Sequence, residues 1–110
     1  MDCLFCKIIN KEIPAKVVYE DDGILAFNDI NPRAPVHVLF IPKKHIDSLR
    51  DVKDEDEKLL GKMFLTISKA AKSLGIDKDG YRIEIANGKN AGQEVMHMHF
   101  HLLGGWKSND

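Results

Sequence analysis

The segment from Val95 to Leu103 constrains the fold more than any other part of this 110-residue chain. It places histidine at every second position, at His97, His99 and His101, with apolar residues between them. A period of two is the period of a β-strand, in which alternate side chains project to the same face. The pattern therefore predicts a strand with all three imidazoles on one face. The other face would carry apolar residues into a core: Met96, Met98, Phe100 and Leu102.

A row of imidazoles has three interpretations on sequence alone. The first is a solvated strand face that happens to be rich in histidine. The second is a metal site formed by the triad itself, since imidazole is a common ligand of zinc, copper and nickel. The third is phosphate chemistry, in which a neutral imidazole acts as a nucleophile or moves a proton. We favour the third, because a row of nitrogen bases on a core strand is costly unless the bases are used.

Length and charge limit the classes of function. A chain of 110 residues is expected to form one domain, over residues 1–110, without room for separate cofactor and substrate domains. Its 16 basic and 17 acidic residues are interleaved and leave a net charge of −1, so no surface for nucleic acid is expected. The N-terminus lacks the features of a signal peptide and no apolar run reaches membrane length. We therefore expect a cytoplasmic protein that binds small ligands such as mononucleotides and no membrane.

Periodicity and turn residues predict an α+β fold. A hairpin is expected over residues 17–29, and near-continuous apolar character predicts a central strand from Val36 to Ile41. Apolar residues spaced by 3.6 predict a long helix from Leu59 to Leu74, and a short helix is expected near residues 5–10. Residues 81–85 alternate as a strand that would pair antiparallel with the histidine strand. The result is a sheet of about five antiparallel strands with one long and one short helix.

Several motifs in collinear order resemble one family over nearly the whole chain. The run from Ala91 to Gly105 resembles the His-φ-His-φ-His-φ-φ signature of the histidine triad (HIT) family, in its Hint-like branch, where φ is an apolar residue. Other segments also resemble that branch: Phe5–Ile9, Ile13–Ala15, Glu20–Asp22, Leu25–Ile30, Ala34–His37 and Ile41–Ile46. The resemblance implies a HIT-like fold in a homodimer whose sheets join edge to edge.

The resemblance also implies a nucleotide hydrolase or transferase that acts at an α-phosphate. His99, the middle histidine, would attack phosphorus to form a nucleotidyl-histidine, from which water would release the mononucleotide. Neutral imidazole suits this role, because a pKa near 6.5 leaves its lone pair free at neutral pH. His101 would lie beside the phosphate oxygens and assist charge or proton transfer to the leaving group. His37 would support the triad from behind, unless it is simply a histidine of the core.

A nucleotide site follows from the same resemblance. Asp29 would accept hydrogen bonds from the ribose hydroxyls, a use that suits a carboxylate with several lone pairs. The turn Gly92-Gln93-Glu94 would direct backbone N–H groups at phosphate. Apolar side chains would line the slot for the base, unless they form ordinary core: Leu4, Phe5, Ile8, Phe27 and Ile30. Adducts of AMP and GMP are both expected to fit a mostly apolar slot.

Two positions depart from the family pattern. Glu94 stands where many relatives carry serine, and an ionised carboxylate cannot donate a hydrogen bond to a leaving group. Glu94 therefore either turns away from phosphate or favours cationic amine leaving groups. Ala86 stands where relatives often carry asparagine, so one contact to phosphate or ribose is expected to be missing.

The two cysteines, Cys3 and Cys6, form a C-x-x-C at the N-terminus. A redox pair normally follows a strand, and a disulfide fits poorly with a cytoplasmic protein. Half of a zinc site is the better interpretation, and tetrahedral zinc needs two further ligands. His45 and His97 are the candidates, an arrangement that resembles bacterial-type HIT proteins with an N-terminal C-x-x-C. In the alternative, the cysteines are unused and His97 only orients the neighbouring nucleophile.

The sequence thus predicts a hydrolase that cleaves purine nucleoside phosphoramidates, or related adenylated and guanylated adducts, with a structural zinc ion. One alternative is a dinucleoside polyphosphate hydrolase. Another is a module that binds nucleotide or zinc without catalysis.

Overall fold

A computed structural model describes residues 3–107 and confirms the α+β architecture. In chain order the helices and strands are α1 (Leu4–Ile9), β1 (Val17–Glu20), β2 (Ile24–Asn28), β3 (Val36–Pro42), α2 (Glu57–Ser73), β4 (Tyr81–Glu84) and β5 (Phe100–Gly104). Short 3-10 turns lie at Leu49–Asp51, Asp54–Asp56 and Lys89–Ala91. Each predicted helix and strand is present, and only the start of the last strand differs from its predicted position by more than two residues.

One antiparallel sheet contains all five strands, in the order β1-β2-β3-β5-β4. The central strand β3 pairs with β2 on one side and with β5 on the other. The register places His101 of β5 opposite Leu39 of β3 and opposite Glu84 of β4. The histidine that ends the triad is therefore held by hydrogen-bonded strands on both sides.

The long helix α2 covers one face of the sheet. Met63, Ile67 and Ala71 recur every four residues and are buried against the strands. The helix ends where Gly75 adopts a φ of 75°, and its N–H donates to the carbonyl of Lys72. A glycine takes this left-handed conformation without a steric cost, which explains the C-terminal boundary.

The short helix α1 packs on the opposite face. Its Phe5 and Ile8 are buried in a second core with four strand residues: Leu25, Phe27, Leu39 and Ile41. The triad histidines lie on the same side of the sheet as α1, because Phe5 of α1 contacts His99 and Leu39 of that core pairs with His101.

The predicted strand from Val95 to Leu103 is wrong in its first half. Strand β5 begins at Phe100, so His97 and His99 precede it. Phe100 pairs with Phe40, and continuing that register would bring residue 98 opposite Pro42, which has no N–H to donate. The chain bends there, and Met98 donates its N–H to the carbonyl of Ile46 instead.

The bend separates side chains that the alternation would have kept together. Met98, Phe100 and Leu102 all enter the core beneath α2, as predicted. Met96 remains 42% exposed and does not enter that core. The apolar pattern therefore holds from residue 98 onward.

None of the helices formed by residues 3–107 combines the length and apolar character needed to cross a bilayer.

Candidate active site and adjoining metal site

A cavity opens beside the N-terminal end of β5, and we call it the triad cavity. Its walls come from α1, from the end of β2 and the loop after it, and from the loop before β5. Ten of the residues predicted to bind nucleotide or to act in catalysis line it: Leu4, Phe5, Ile8, Phe27, Asp29, Ile30, Gly92, Glu94, His99 and His101. The remaining two, Gln93 and His37, lie behind its surface.

Gln93 is buried, and its side chain holds the loop rather than lining the cavity. Its Oε1 accepts from the N–H of Gly88 at 2.8 Å, and its Nε2 donates to the carbonyls of Val95, at 3.0 Å, and Asp47. The side chain therefore fixes the shape of the turn that carries Gly92 and Glu94 to the cavity.

Two charged residues at the cavity were missed by sequence reasoning. Arg33 and Glu84 line it and form an ion pair of 3.1 Å, although they are 51 residues apart in the chain. The sequence contains one indication of Arg33, which is that it lies in the same loop as Asp29. Glu84 becomes a neighbour of the triad only through the register that sets it opposite His101.

The position of the hydrogen on His99 is set by the backbone. Its Nδ1 lies 2.8 Å from the carbonyl oxygen of His97, and a carbonyl can only accept, so Nδ1 carries the hydrogen. No buried side-chain nitrogen among the described residues lacks a partner, and Nε2 of His99 makes no hydrogen bond to any of them. Nε2 therefore reaches the open cavity with a free lone pair.

A chain of hydrogen bonds fixes His101 in the complementary form. The N–H of Arg33 donates to Nδ1 of His37 at 3.0 Å, so the hydrogen of His37 is on Nε2. That Nε2 donates to Nδ1 of His101 at 2.9 Å, which leaves the His101 hydrogen on its own Nε2. Asp29 lies 3.4 Å from Nε2 of His37 and supports the same arrangement. His101 thus presents an N–H donor beside the lone pair of His99.

The surroundings keep the rings of His101 and His37 neutral. Burial, together with the nearby His99 and His37, lowers the pKa of His101 to about 4. Burial also lowers the pKa of His37, against the attraction of the Asp29 carboxylate. The ring centroids of His99 and His101 are 5.1 Å apart. The site therefore combines a nucleophilic nitrogen with an adjacent neutral donor at physiological pH.

A second cluster lies behind α1. The ligand atoms of Cys3, Cys6, His45 and His97 all lie within 4.8 Å of one another, so the structure brings together the four predicted metal ligands. Sγ of Cys3 is 3.3 Å from Nδ1 of His97, and Sγ of Cys6 is 3.3 Å from Nδ1 of His45. Tetrahedral zinc, with bonds of about 2.3 Å to sulfur and about 2.0 Å to nitrogen, places sulfur and nitrogen about 3.6 Å apart. The donor set and its spacing fit a tetrahedral zinc ion.

The outer hydrogen bonds of both histidines suit the same ion. Nε2 of His97 donates to the carbonyl of Pro42 at 2.7 Å, and Nε2 of His45 donates to Asp47 at 2.6 Å. Both Nδ1 lone pairs consequently face the sulfurs, as in histidines whose second nitrogen is anchored by an outer partner. Burial and the neighbouring Cys3 raise the pKa of the Cys6 thiol to about 11. A cation would hold these sulfurs as thiolates at neutral pH.

A third group consists of Asp29, His37 and His101, whose possible ligand atoms also lie within 4.8 Å of one another. Its nitrogens are already committed, because His37 carries its hydrogen on the Nε2 that would have to bind a metal. We therefore assign this group to the hydrogen-bond chain and not to a metal.

Known proteins resemble this chain over almost its whole length. The family model described as "HIT domain" matches residues 10–108. Protein HitA of Neisseria gonorrhoeae is 52% identical over 103 residues, which cover 94% of this chain and 95% of HitA. The purine nucleoside phosphoramidase of Escherichia coli K12 is 47% identical, over 94% of this chain and 87% of that enzyme. The crystal structure of a HIT family hydrolase from Legionella pneumophila superposes with a TM-score of 0.94 at 51% identity, covering 96% of this chain and 95% of that chain.

Proposed function

Because this chain belongs to the HIT domain family, we propose that it hydrolyses purine nucleoside phosphoramidates by breaking the P–N bond at the α-phosphate. The observation that carries the proposal is the pairing of a free His99 lone pair with the N–H of His101 at one cavity wall. The E. coli relative named purine nucleoside phosphoramidase supports the choice of substrate class.

Side chains at the cavity suit the base and the ribose of a nucleotide. Ile30 is 91% exposed and Leu4 is 44% exposed, and a purine base would cover both. Covering exposed apolar surface supplies affinity without selecting between adenine and guanine. Oδ1 of Asp29 accepts the N–H of Asn31, and a carboxylate has further lone pairs that ribose hydroxyls could use.

In the first step, Nε2 of His99 forms a bond to phosphorus, and the bond from phosphorus to the leaving nitrogen breaks. The departing amine keeps the electron pair of that bond and needs one proton. As the substrate binds, its negatively charged phosphoryl group favours the protonated form of the adjacent imidazole, so His101 takes up a proton from water and then donates one to the leaving nitrogen. The product is a nucleotidyl-His99 and a free amine.

In the second step, a water oxygen attacks phosphorus and the bond to His99 breaks. The electron pair returns to Nε2 of His99, and the proton of the attacking water passes to His101. The nucleoside monophosphate leaves, His101 returns its extra proton to solvent, and both histidines regain their starting forms. Splitting one displacement into two is the advantage of a nucleophile that is also a good leaving group.

We further propose that Cys3, Cys6, His45 and His97 hold a structural zinc ion. With four protein ligands, no coordination position remains for water or substrate, so the ion would supply stability and no reaction step. It would bind the N-terminal segment and α1 to the residues around His97.

Glu94 lines the cavity and is exposed there, so it does not turn away from the site. We propose that its carboxylate attracts cationic amine leaving groups such as a lysine side chain. Glu94→Ser should reduce the preference for a lysyl adduct over a neutral amine adduct, measured as the ratio of the two kcat/KM values. An unchanged ratio would show that Glu94 does not select the leaving group.

A homodimer is the assembly that we propose. Strand β4 lies at one edge of the sheet, and its Ile83 is 37% exposed. On α2, Phe64 and Leu65 are 50% and 64% exposed. An edge strand and exposed apolar residues on a helix are both features that suit pairing with a second copy. Leu65→Glu should yield a monomer in analytical ultracentrifugation, and a wild-type protein that sediments as a monomer would refute the proposal.

The proposed reaction is tested with adenosine 5′-phosphoramidate and a dinucleoside polyphosphate as competing substrate classes. We expect higher kcat/KM for the phosphoramidate, and a loss of at least about 10³-fold in kcat for His99→Ala with AMP binding retained. Rapid quenching should trap a phosphorus-bound His99 in the wild type. Full turnover by His99→Ala would overturn the mechanism, and AMP binding without turnover by the wild type would indicate a binding module.

A further inference from the structure

Helix α1 belongs to both sites at once. Cys3 caps its first turn by accepting the N–H of Cys6, and both thiols face the metal cluster. Leu4, Phe5 and Ile8 of the same turns form a wall of the triad cavity. Six residues are too few for a helix to be stable by itself, so its position depends on what it contacts.

His97 joins the two sites a second time. Its Nδ1 faces both sulfurs, at 3.3 Å and 3.7 Å, while its carbonyl oxygen accepts the ring Nδ1–H of His99. The ring of Phe5 contacts both histidines edge-on, with centroids 5.9 Å from His97 and 5.1 Å from His99. One carbonyl and one aromatic ring therefore connect the metal cluster to His99, the proposed nucleophile.

From this geometry we propose that zinc in the Cys–His cluster and a nucleotide in the triad cavity strengthen each other's binding, with α1, Phe5 and His97 as the shared elements. The inference rests on the proposed nucleotide site and on the proposed zinc site. Zinc would order α1 in advance, so that the nucleotide no longer has to do so on binding. The two ligands must then affect each other's affinity by the same factor. We expect a factor of about 10, within the usual range for coupled sites.

The first experiment measures both sides of this coupling. The Kd of AMP is determined calorimetrically for zinc-loaded and zinc-free protein, and the Kd of zinc is determined by chelator competition with and without saturating AMP. We expect AMP to bind about 10-fold more weakly without zinc, and zinc to bind more tightly with AMP by an equal factor. AMP affinities within twofold of each other would overturn the coupling while leaving the proposed nucleotide site intact. Failure of AMP to bind either form would overturn both proposals.

Zinc-free protein that unfolds would imitate this result, so a second experiment uses only folded, metal-loaded protein. Co²⁺ replaces zinc, and its visible absorption reports the geometry of the cluster. We expect AMP to change this spectrum in the wild type and to change it much less in Phe5→Leu. Phe40→Leu is the matched control, since Phe40 is also buried but lies in the core beneath α2. A spectrum that AMP leaves unchanged in the wild type, or changes equally in Phe5→Leu, would refute the role of Phe5.

Discussion

The low pKa of His101 has a consequence for stability in acid that can be measured directly. In the folded protein this pKa is about 4, whereas an unfolded chain gives histidine a pKa of about 6.5. Above pH 6.5 the ring is neutral in both states and contributes no pH dependence. As the pH falls below 6.5, the unfolded chain binds a proton that the folded protein does not, so the free energy of unfolding decreases. The loss levels off below pH 4.

The size of this loss follows from the two pKa values. At pH 4.5 they correspond to about 2.6 kcal/mol for an isolated group. The His101 ring is only partly buried, and solvent screening reduces the cost of charging it, so we expect about 1.5 kcal/mol. His101→Gln removes the titrating group while keeping a polar side chain that can bond to His37. The variant should lose about 1.5 kcal/mol less stability than the wild type between pH 7.5 and pH 4.5.

The assay is urea denaturation of both zinc-loaded proteins at the two pH values, with equal m-values as a check on the comparison. Zinc release in acid affects the wild type and the variant alike and cancels in the double difference. Equal losses in the two proteins, within about 0.5 kcal/mol, would show that His101 is not held neutral by its surroundings.

Three further predictions concern stability. Gly104→Ala should lower the free energy of unfolding by about 1–3 kcal/mol, because the new Cβ would lie 2.7 Å from Cδ1 of a neighbouring isoleucine. Gly61→Ala is its matched control in urea denaturation and should stabilise α2 by about 0.5–1 kcal/mol, since nothing lies within 4 Å. Ile67→Ala should lower the free energy of unfolding by about 2–4 kcal/mol, because Ile67 is fully buried. Lys69→Ala, on the exposed side of α2, should change it by less than about 0.5 kcal/mol. Equal effects of the two substitutions would contradict the packing of α2. Removing zinc with excess chelator should lower Tm by about 10 °C in a calorimetric scan, and Cys6→Ser should abolish the difference.

Elements specified by local patterns could be predicted from the sequence, and the hairpin and α2 are examples. Asp21 accepts the N–H groups of Gly23 and Ile24, so the turn between β1 and β2 is encoded within four residues. The 3.6 period of α2 is equally local. The position at which β5 begins is not determined by nearby sequence. It depends on Pro42, which would lie opposite residue 98 and is more than fifty positions earlier in the chain. Alternation alone could not reveal that.

The candidate site divides in the same way. The predicted nucleotide-binding and catalytic residues came from motifs, and all but Gln93 and His37 line the triad cavity. The ion pair of Arg33 with Glu84 was missed because strand register, which brings them together, cannot be read from either segment alone. The inward-facing bonds of Gln93 were missed because the residue type permits both phosphate binding and loop support.

The three histidines differ in function because each has a different nitrogen engaged. His97 turns Nδ1 to the cysteines and gives Nε2–H to Pro42, so neither nitrogen is left for substrate. His99 donates its only ring hydrogen, on Nδ1, to the carbonyl of His97, so its Nε2 is left as a base. His101 receives a hydrogen bond on Nδ1 from His37, which makes it a donor. The alternation in sequence predicts one face, but chemistry requires a lone pair beside an N–H. Two hydrogen bonds create that difference: Nδ1 of His99 donates to the carbonyl of His97, and Nε2 of His37 donates to Nδ1 of His101.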